Sequence, residues 1–499
     1  MANNRQPVRN PRVLLLTGFA PMELAQLDEM GIETAPFLAM ASVMGKDTFQ
    51  LTIPCIGAVA VATYLRDRGV DVRIKDFFLD DLSDCDGDII GISSTFMGPS
   101  HVKEIASFAR ERNPSSIIVL GGPLSWSFRA SSLLDSAPAI DFVSVGEGEQ
   151  TFLELLEALA LGAEPREVLG IVSRHDNGHP CGERRPSLDA ELIPTPDWGL
   201  LAVPNPRRLP VLPVETSRGC PYSCPYCSET HYWGKPPRYR RPEAVAVEIA
   251  RNVRDFGITS FRFTDSCFSA PPKRCAEVCD AIYHECTEAG LPVTWSSYAR
   301  VSNLSPRLLE KMKRSGCIAL DIGVESGDPA TLRRMGRRYS PERAVTVAQE
   351  ARRLGIITNF NIVVGFPGET VEGIERTIEM LDRAQPDSFA CFLLFIAPNM
   401  GVSSYPDRYG LTGVGLSWYH STMTSDEALE AMNKISKSVT GSCSFPGGEY
   451  FACYLASLGH SSQEIRAFFK AAVELGRGSQ DPGYRSILEG VCTKLDAVC

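Results

Sequence analysis

The sequence has no surplus of positive charge. Fifty Lys and Arg stand against sixty Asp and Glu, a formal balance of −10 that is spread along the chain. Phosphate neutralisation wants a basic surface, so nucleic acid is not expected as the main partner. A long apolar run is missing at the start: "MANNRQPVRNPRVLLLTGFA" is a polar leader followed by a stretch too short for a spanning helix. It also lacks a small-residue cleavage site, so no membrane span and no export are expected. The compartment this implies is the cytoplasm, where thiols stay reduced. The 16 cysteines then read as buried small side chains, metal ligands or reactive thiols, with disulfides the least expected use. No internal repeat or low-complexity tract is present. Hydrophobic content of 44% with 22% charged residues gives no reason to invoke long disorder. The 499 residues exceed what one core supports, roughly 250–300.

What is present is an α/β pattern in two periods. Over 1–160, short apolar runs ("RVLLLTG", "DVRIKDF", "DIIGISST", "SIIVLGG", "DFVSVGEGE") alternate with helical segments such as "IGAVAVATYLRDRG" and "QTFLELLEALALG". Apolar strands separated by helices imply a parallel sheet covered on both faces, a doubly wound Rossmann-like domain. A long connection, roughly 18–52, follows the first strand and suggests function or helices of its own. Residues 161–213 lose the pattern and fill with proline, as a linker or a strap lying across a neighbour. From Val214 strand candidates return ("VETSRG", "SFRFTDS", "VTWSSYAR", "CIALDIGVES", "TNFNIVVGFP", "SFACFLLFIAP"), with helices opened by proline or a cap. Six such units over 214–410 predict a partial (β/α)6 barrel. Residues 411–499 read as a helical, aromatic extension that caps the barrel and selects the substrate.

After the first barrel strand comes "RGCPYSCPYCSETHYWG", with Cys220, Cys224 and Cys227 in the spacing C-x3-C-x2-C. A structural zinc site takes four ligands, and only His231 stands near enough in sequence to complete one. Three thiolates on a four-iron cluster would leave one iron open to bind and activate a ligand.

The motif, its place after a first barrel strand and the rest of 214–398 resemble the radical S-adenosylmethionine superfamily. The resemblance implies that Cys220, Cys224 and Cys227 hold a 4Fe-4S cluster and that S-adenosylmethionine chelates its open iron. Tyr226 matches the position that packs near the adenine. "GVESGD" places Glu325 and Ser326 near the cofactor ribose and carboxylate. "VVGFPGET" lets Gly365 and Pro367 approach the adenine, and "SYARVSNL" offers Arg300 to the cofactor carboxylate. Asp265 and Ser266 in "FTDSCF" occupy the place of a glycine-rich amine-binding segment, which leaves the amine contact open. These positions fall at strand C-terminal ends, where parallel barrels gather ligand sites.

Placed before such a barrel, the first domain resembles the cobalamin-binding domain of a large subfamily. "ISST", "VLGGP" and "VGEGE" then implicate Ser93, Ser94, Gly121, Gly122, Pro123, Gly146 and Glu147 in holding the corrin and its tail, at the strand ends an open sheet favours. No D-x-H-x-x-G is present, so the histidine ligand that motif supplies to cobalt is missing. The resemblance implies generation of a 5′-deoxyadenosyl radical, an electron donor such as flavodoxin or ferredoxin, and cobalamin-dependent methylation of an unactivated carbon in a small molecule. Radical dehydration, rearrangement or ring modification is the alternative, and a non-catalytic iron–sulfur scaffold is the rival of another class.

Other chemistry-bearing residues have ordinary readings beside functional ones. Cys275, Cys279 and Cys286 share a helical face, as a second cluster site or, better, a packed small-residue stripe. Cys443, Cys453, Cys492 and Cys499 have no ligand spacing. His420, among aromatics in an expected helix or turn, is a candidate proton donor or acceptor, or a packed histidine. Tyr232, with Trp233, is a candidate to face the substrate or to close the barrel mouth. Trp418, Tyr419, Phe451, Phe468 and Phe469 are candidate substrate contacts or core.

Overall fold

The computed structural model describes residues 10–18, 54–78, 80–95, 98–127, 129–174, 185–201, 209–397 and 400–496. The long connection after the first strand lies outside the described residues. Those described form two compact units, one from 10–18, 54–201 and Tyr232–Gly234, the other from 209–231 and 235–496.

In the first unit the apolar runs become β1 (Val13–Thr17), β2 (Val72–Asp76), β3 (Ile89–Ser93), β4 (Ile117–Gly121) and β5 (Phe142–Ser144). Strand order is β2-β1-β3-β4-β5, all parallel, the doubly wound arrangement expected. Leu14, Leu16, Ile90, Ile92, Ile118 and Leu120 are fully buried in a core closed by the helix Pro99–Arg112. Gly91 is needed where an added Cβ would lie 3.1 Å from the Phe152 ring of helix Gly148–Leu161. The stretch read as a linker contributes more than a tether. It supplies β6 (Ile171–Ser173), antiparallel to β5, and a strap in which the Asp197 N–H donates to Thr63 Oγ1 at 3.0 Å and Trp198 is fully buried.

The second unit begins earlier than the sequence implied, with β7 (Val211–Val214). A short hairpin, β8 (Ser217–Arg218) with β9 (Arg238–Tyr239), flanks the cysteine loop. Then come β10 (Ser260–Phe263), β11 (Thr294–Arg300), β12 (Cys317–Glu325), β13 (Ile357–Val364) and β14 (Ser388–Leu393), separated by helices. All run parallel in the order β7-β10-β11-β12-β13-β14.

The C-terminal extension departs from an all-helical cap in three ways. Residues 412–424 form an antiparallel sheet of β15 (Thr412–Val414), β16 (Ser417–His420) and β17 (Met423–Thr424), so His420 and Trp418 stand on a strand. β18 (Cys443–Ser444) joins β14 as a seventh parallel strand. Helix Gly448–Ser457 packs against β7 and β10 to β14. It enters beside the strand beginnings, where a Cβ on Gly448 would lie 2.8 Å from Ser388 Cβ and 3.2 Å from Asn359 Oδ1. The helix is therefore a plug under the barrel, at the end opposite to the cysteine loop. Phe451, Phe468 and Phe469 pack on one another, with ring centroids 5.2 to 6.4 Å apart, which makes them core.

Candidate active site

The chain leaves β7 through a clamp. Asp265, just beyond β10, is 1% exposed, and its carboxylate accepts the Thr216 N–H at 2.9 Å, the Thr216 hydroxyl at 2.8 Å, the Ser217 hydroxyl at 2.9 Å and the Ser217 N–H. Burial lifts its pKa to about 6, against the pull of those donors. Both oxygens are occupied, so Asp265 positions the loop and offers no free acceptor to an amine. Ser266 is likewise committed, its hydroxyl donating to Glu229.

Beyond the clamp Gly219 adopts φ 98°, a left-handed turn open to glycine, and the chain passes irregularly through three free, half-buried thiols at Cys220, Cys224 and Cys227. Burial raises the Cys220 thiol and pushes Cys227 up to about 12. Metal binding at this loop must therefore release protons. Among the described residues no three His, Cys, Asp or Glu side chains converge on one ion position. Three free thiols within eight residues, in the spacing C-x3-C-x2-C, suit a cluster of several irons.

Arg300, at the end of β11, points its guanidinium at this loop. Nη1 lies 3.4 Å from Cys224 Sγ, Nη2 donates to the Gly336 carbonyl at 3.2 Å, and the group sits 4.0 Å over the Tyr222 ring. Its charge thus lies directly against the cysteine loop, with part of its donor capacity already used.

Tyr226 is held from the other side. Arg337 Nε donates to its hydroxyl at 2.8 Å, and Arg337 Nη2 pairs with Glu325, both members of the ion pair being buried. Glu325 ends β12 at φ 72°, a conformation costly for any residue with a Cβ, of order 1–3 kcal/mol. Its carboxylate folds back over Gly323, where an added Cβ would lie 2.5 Å from Oε1 and 3.3 Å from Arg337 Nη2. Ser326, expected beside the cofactor, spends its hydroxyl on the turn, accepting from the Asp328 N–H at 3.1 Å and lying 3.4 Å from Thr377 Oγ1.

Gly365 follows β13 with φ 91°, and Phe366 stands edge-on to Tyr226 at 6.0 Å. An added Cβ at Gly365 would lie 2.8 Å from Trp418 Cζ2. The turn is fixed from two directions: the Gly365 N–H donates to Glu369 at 2.7 Å, and its carbonyl accepts from His420 Nε2 at 3.0 Å. Pro367 is buried in the same turn. Since His420 Nε2 donates, Nδ1 is the acceptor from Thr422, and the ring is stacked on Trp418 at 5.3 Å. Burial lowers its pKa, so it is neutral. His420 has no nitrogen left for substrate and reads as a positioning residue for the Gly365 turn.

Arg337 and Glu369 were missed from the sequence. Arg337 sits in "LRRMGRRYS" among three other arginines with nothing in the spacing to single it out, and Glu369 in "FPGET" reads as a helix-start carboxylate. Tyr232 lies at the end of helix Glu229–Trp233, its ring edge-on to Trp233 at 4.5 Å; it groups with the first unit. Cys275, Cys279 and Cys286 are core, as are Cys443 and Cys453; Cys453 Sγ lies 3.4 Å from the Phe261 carbonyl. The side chains of Cys492 and Cys499 lie outside the described residues.

In the first unit the expected residues gather at the C-terminal ends of β3, β4 and β5. Ser94 is buried and structural, accepting from the Leu124 N–H at 3.1 Å and donating to the Gly121 carbonyl at 2.7 Å. Gly122, at φ 89°, packs on it, an added Cβ falling 3.0 Å from Ser94 N. Ser93 shares its hydroxyl with Cys55 and Thr95, each at 3.2 Å. Gly121 and Gly146 behave differently. A Cβ at Gly121 would meet nothing nearer than 4.0 Å, and one at Gly146, φ 111°, nothing within 4 Å. Bare backbone at two adjacent strand ends fits the approach of a large planar ligand. Pro123 is exposed beside them, and Glu147 accepts the Leu188 N–H at 3.2 Å.

Comparison with known proteins gives the family. Residues 214–381 match the model of the radical SAM superfamily, and residues 44–156 that of the B12 binding domain. The chain belongs to the radical SAM superfamily, in the group whose members carry a B12-binding domain; it is an enzyme of 4Fe-4S, S-adenosylmethionine and cobalamin chemistry. It is 32% identical over 349 residues to the uncharacterized methyltransferase PH0819 of Pyrococcus horikoshii, covering 67% of this chain and 74% of that one. It is 29% identical over 350 residues to the anaerobic magnesium-protoporphyrin IX monomethyl ester cyclase of Rubrivivax gelatinosus, covering 66% of this chain and 61% of the relative. In fold it is similar to the radical S-adenosylmethionine methyltransferase TsrM of Kitasatospora setae, solved with cobalamin and a 4Fe-4S cluster bound, at TM-score 0.64 and 17% identity over 98% of this chain and 100% of that one.

Proposed function

We propose that the chain transfers a methyl group to an unactivated carbon of a small metabolite or natural-product intermediate. One observation carries the reading: a single chain pairs a B12-binding match with a radical SAM barrel at one end of which the cysteine loop, Arg300, the Glu325–Arg337 pair and the Gly365 turn are tied together. A scaffold that only stored a cluster would need the cysteines and nothing of the rest.

In this reading Cys220, Cys224 and Cys227 hold the cluster, with Arg300 offsetting negative charge beside Cys224. Tyr226, Glu325, Gly365 and Pro367 frame S-adenosylmethionine; Arg337 keeps Tyr226 and Glu325 in place, and Ser326 contributes through the turn it stabilises. Gly121 and Gly146 give cobalamin its closest backbone approach, flanked by Ser93, Pro123 and Glu147, while Ser94 and Gly122 hold the β3–β4 loop. Bound together, these groups supply a carbon-centred radical initiator and a transferable methyl. Trp418 and His420 support the Gly365 turn from outside the reaction, and Tyr232 is the candidate substrate contact. The electron comes from a flavodoxin or ferredoxin in the cytoplasm. No helix among the described residues is long and apolar enough to cross a membrane.

The test is anaerobic reconstitution with iron, sulfide and cobalamin, metal analysis, and incubation with methyl-labelled S-adenosylmethionine and candidate substrates. About four irons per chain, one cobalt and label in the substrate are expected. Iron without cobalt, with a substrate that loses water or closes a ring, would overturn methyl transfer in favour of the chemistry named for the cyclase relative. Absence of 5′-deoxyadenosine with every reductant would return the scaffold reading.

A further inference from the structure

The barrel interior carries charge that the functional reading leaves unused. Side chains alternate along a strand, and the inward set includes Arg262 on β10, Tyr298 on β11, Asp321 on β12, and Asn359 and Asn361 on β13. Arg262 is balanced by Glu449 of the plug helix, Nη2 and Nε standing 2.8 and 3.2 Å from Oε1, and lies 4.6 Å over the Tyr298 ring. Among the described residues Asp321 has no cation of its own. Its Oδ1 accepts both amides, from Asn359 Nδ2 at 2.9 Å and Asn361 Nδ2 at 2.6 Å, and no described residue donates to its Oδ2. Glu449 Oε2 is buried and equally without a hydrogen bond.

Two carboxylates thus share one guanidinium, and each keeps an oxygen without a donor. Asp321 is 5% and Glu449 1% exposed. A buried carboxylate with no counter-charge is costly, and an unsatisfied buried acceptor calls for a partner. Burial holds the Asp321 carboxyl well above its ordinary range when it stands alone; a cation would return it to carboxylate. The inner positions flanking Asp321 are not sealed: Tyr298, Asn361 and Val363 are half-buried, and Phe392 is 45% exposed. The paired inner positions of β13 and β14 change character on the way up, from Asn359 with Ser388, through Asn361 with Ala390, to Val363 with Phe392. The lumen is acidic at its base and apolar at its rim.

We propose that this lumen is the substrate site and that it takes an amine, a protonated amino group on Asp321 Oδ2 with an apolar body along Val363 and Phe392. The two asparagines pre-align the carboxylate by occupying its other oxygen. The amine supplies the missing positive charge next to the balanced Arg262–Glu449 pair. This rests on the radical-enzyme reading and names its substrate class.

The test uses the full-length chain with its cluster reconstituted and matched probes that differ only in charge: phenethylamine against 2-phenylethanol, and hexylamine against 1-hexanol, by isothermal titration calorimetry. Each amine is expected to bind at least about tenfold more tightly than its alcohol, as a charge-assisted contact requires. Asp321→Asn, checked for folding by circular dichroism and iron content, should remove that preference. Phe392→Ala, at an exposed rim position, should weaken both phenyl probes by a similar factor and leave the preference standing. Equal binding of amine and alcohol by the wild type, a preference that survives Asp321→Asn, or no amine binding up to about 10 mM would overturn the proposal. Formation of 5′-deoxyadenosine by the wild-type protein with dithionite tells the two readings apart. If it forms while amines fail to bind, only the substrate class falls; if it does not form, the functional reading falls with it.

Discussion

Raising the pH from 6 to 9 should soften the barrel unit, and Glu369 should account for the change. Its side chain is 1% exposed, accepts the Gly365 N–H at 2.7 Å and pairs with no cation among the described residues. Burial pushes its pKa up to about 8, against an ordinary value near 4.5. In the unfolded chain the carboxyl ionises freely, so its folded-state value is the higher one. The stability it contributes is complete below the unfolded value and is lost as pH rises through about 8. From pH 6 to 9 the unfolded form, already ionised, is favoured over the folded form by about two decades, at about 1.4 kcal/mol per decade, or about 2.7 kcal/mol. For a domain of this size that corresponds to a melting temperature lower by roughly 5–10 °C. Glu369→Gln keeps an acceptor for Gly365 and cannot ionise, so its profile should lack this component. Differential scanning calorimetry at pH 6, 7, 8 and 9 compares the two, and every other titrating group, Cys227 included, is common to both and cancels. Parallel pH profiles for wild type and Glu369→Gln would refute the reasoning, because they would mean the carboxylate is already charged in the fold.

Replacing any one of Cys220, Cys224 and Cys227 with Ala should lower reconstituted iron from about four per chain towards zero while leaving far-ultraviolet circular dichroism unchanged. Gly365→Ala should cost about 1–2 kcal/mol for its left-handed backbone and a further 1–3 kcal/mol for the collision with Trp418; a lower melting temperature and weaker S-adenosylmethionine retention in equilibrium dialysis are the readouts. Arg337→Leu strands the buried Glu325 carboxylate, at about 3–5 kcal/mol, and Arg337→Leu with Glu325→Gln should recover part of that loss in the same thermal melts. Asp265→Ala leaves two buried N–H groups at Thr216 and Ser217 without an acceptor, and reconstituted protein should lose iron faster in gel filtration than wild type.

The cysteine loop was legible because its information is local: three thiols and a left-handed glycine lie within nine residues, and the strand before them is a plain apolar run. The doubly wound sheet was legible for the same reason, each strand announcing itself by its own composition. His420 was misplaced although its neighbourhood held the correction. Thr424 and Glu427 form a capping box, so the helix that follows starts at Ser425 and "SWYH" is left outside it, free to pair as a strand. Arg337 and Glu369 are another matter. Their importance lies in burial and in partners 12 residues away or across a turn, Arg337 reaching back to Tyr226 over 111 positions. No spacing rule marks an arginine among arginines as the one that folds inward. Asp265 was left open for the opposite reason: it stands where an amine-binding segment is expected, and only the structure shows four donors from the β7 exit claiming its carboxylate.

The plug helix explains why the interior of this barrel can be polar at all. "GEYFACYLAS" is apolar on nearly every side, the pattern of a helix surrounded by protein, and it seals the strand beginnings against water. Its single acid, Glu449, enters exactly opposite Arg262, so a guanidinium that would be prohibitively costly alone is paired as soon as the helix docks. Closing that end leaves the strand C-termini as the barrel's way in, where the cysteine loop, Arg300 and the Gly365 turn stand. The chain's last hundred residues therefore do two separate jobs on one barrel: β16 braces the turn at the mouth through Trp418 and His420, and the plug supplies the floor and its counter-charge. A change in Glu449 should then be felt at Arg262 and Tyr298, deep in the lumen, while a change in Trp418 should be felt at Gly365, which separates floor from mouth by mutation alone.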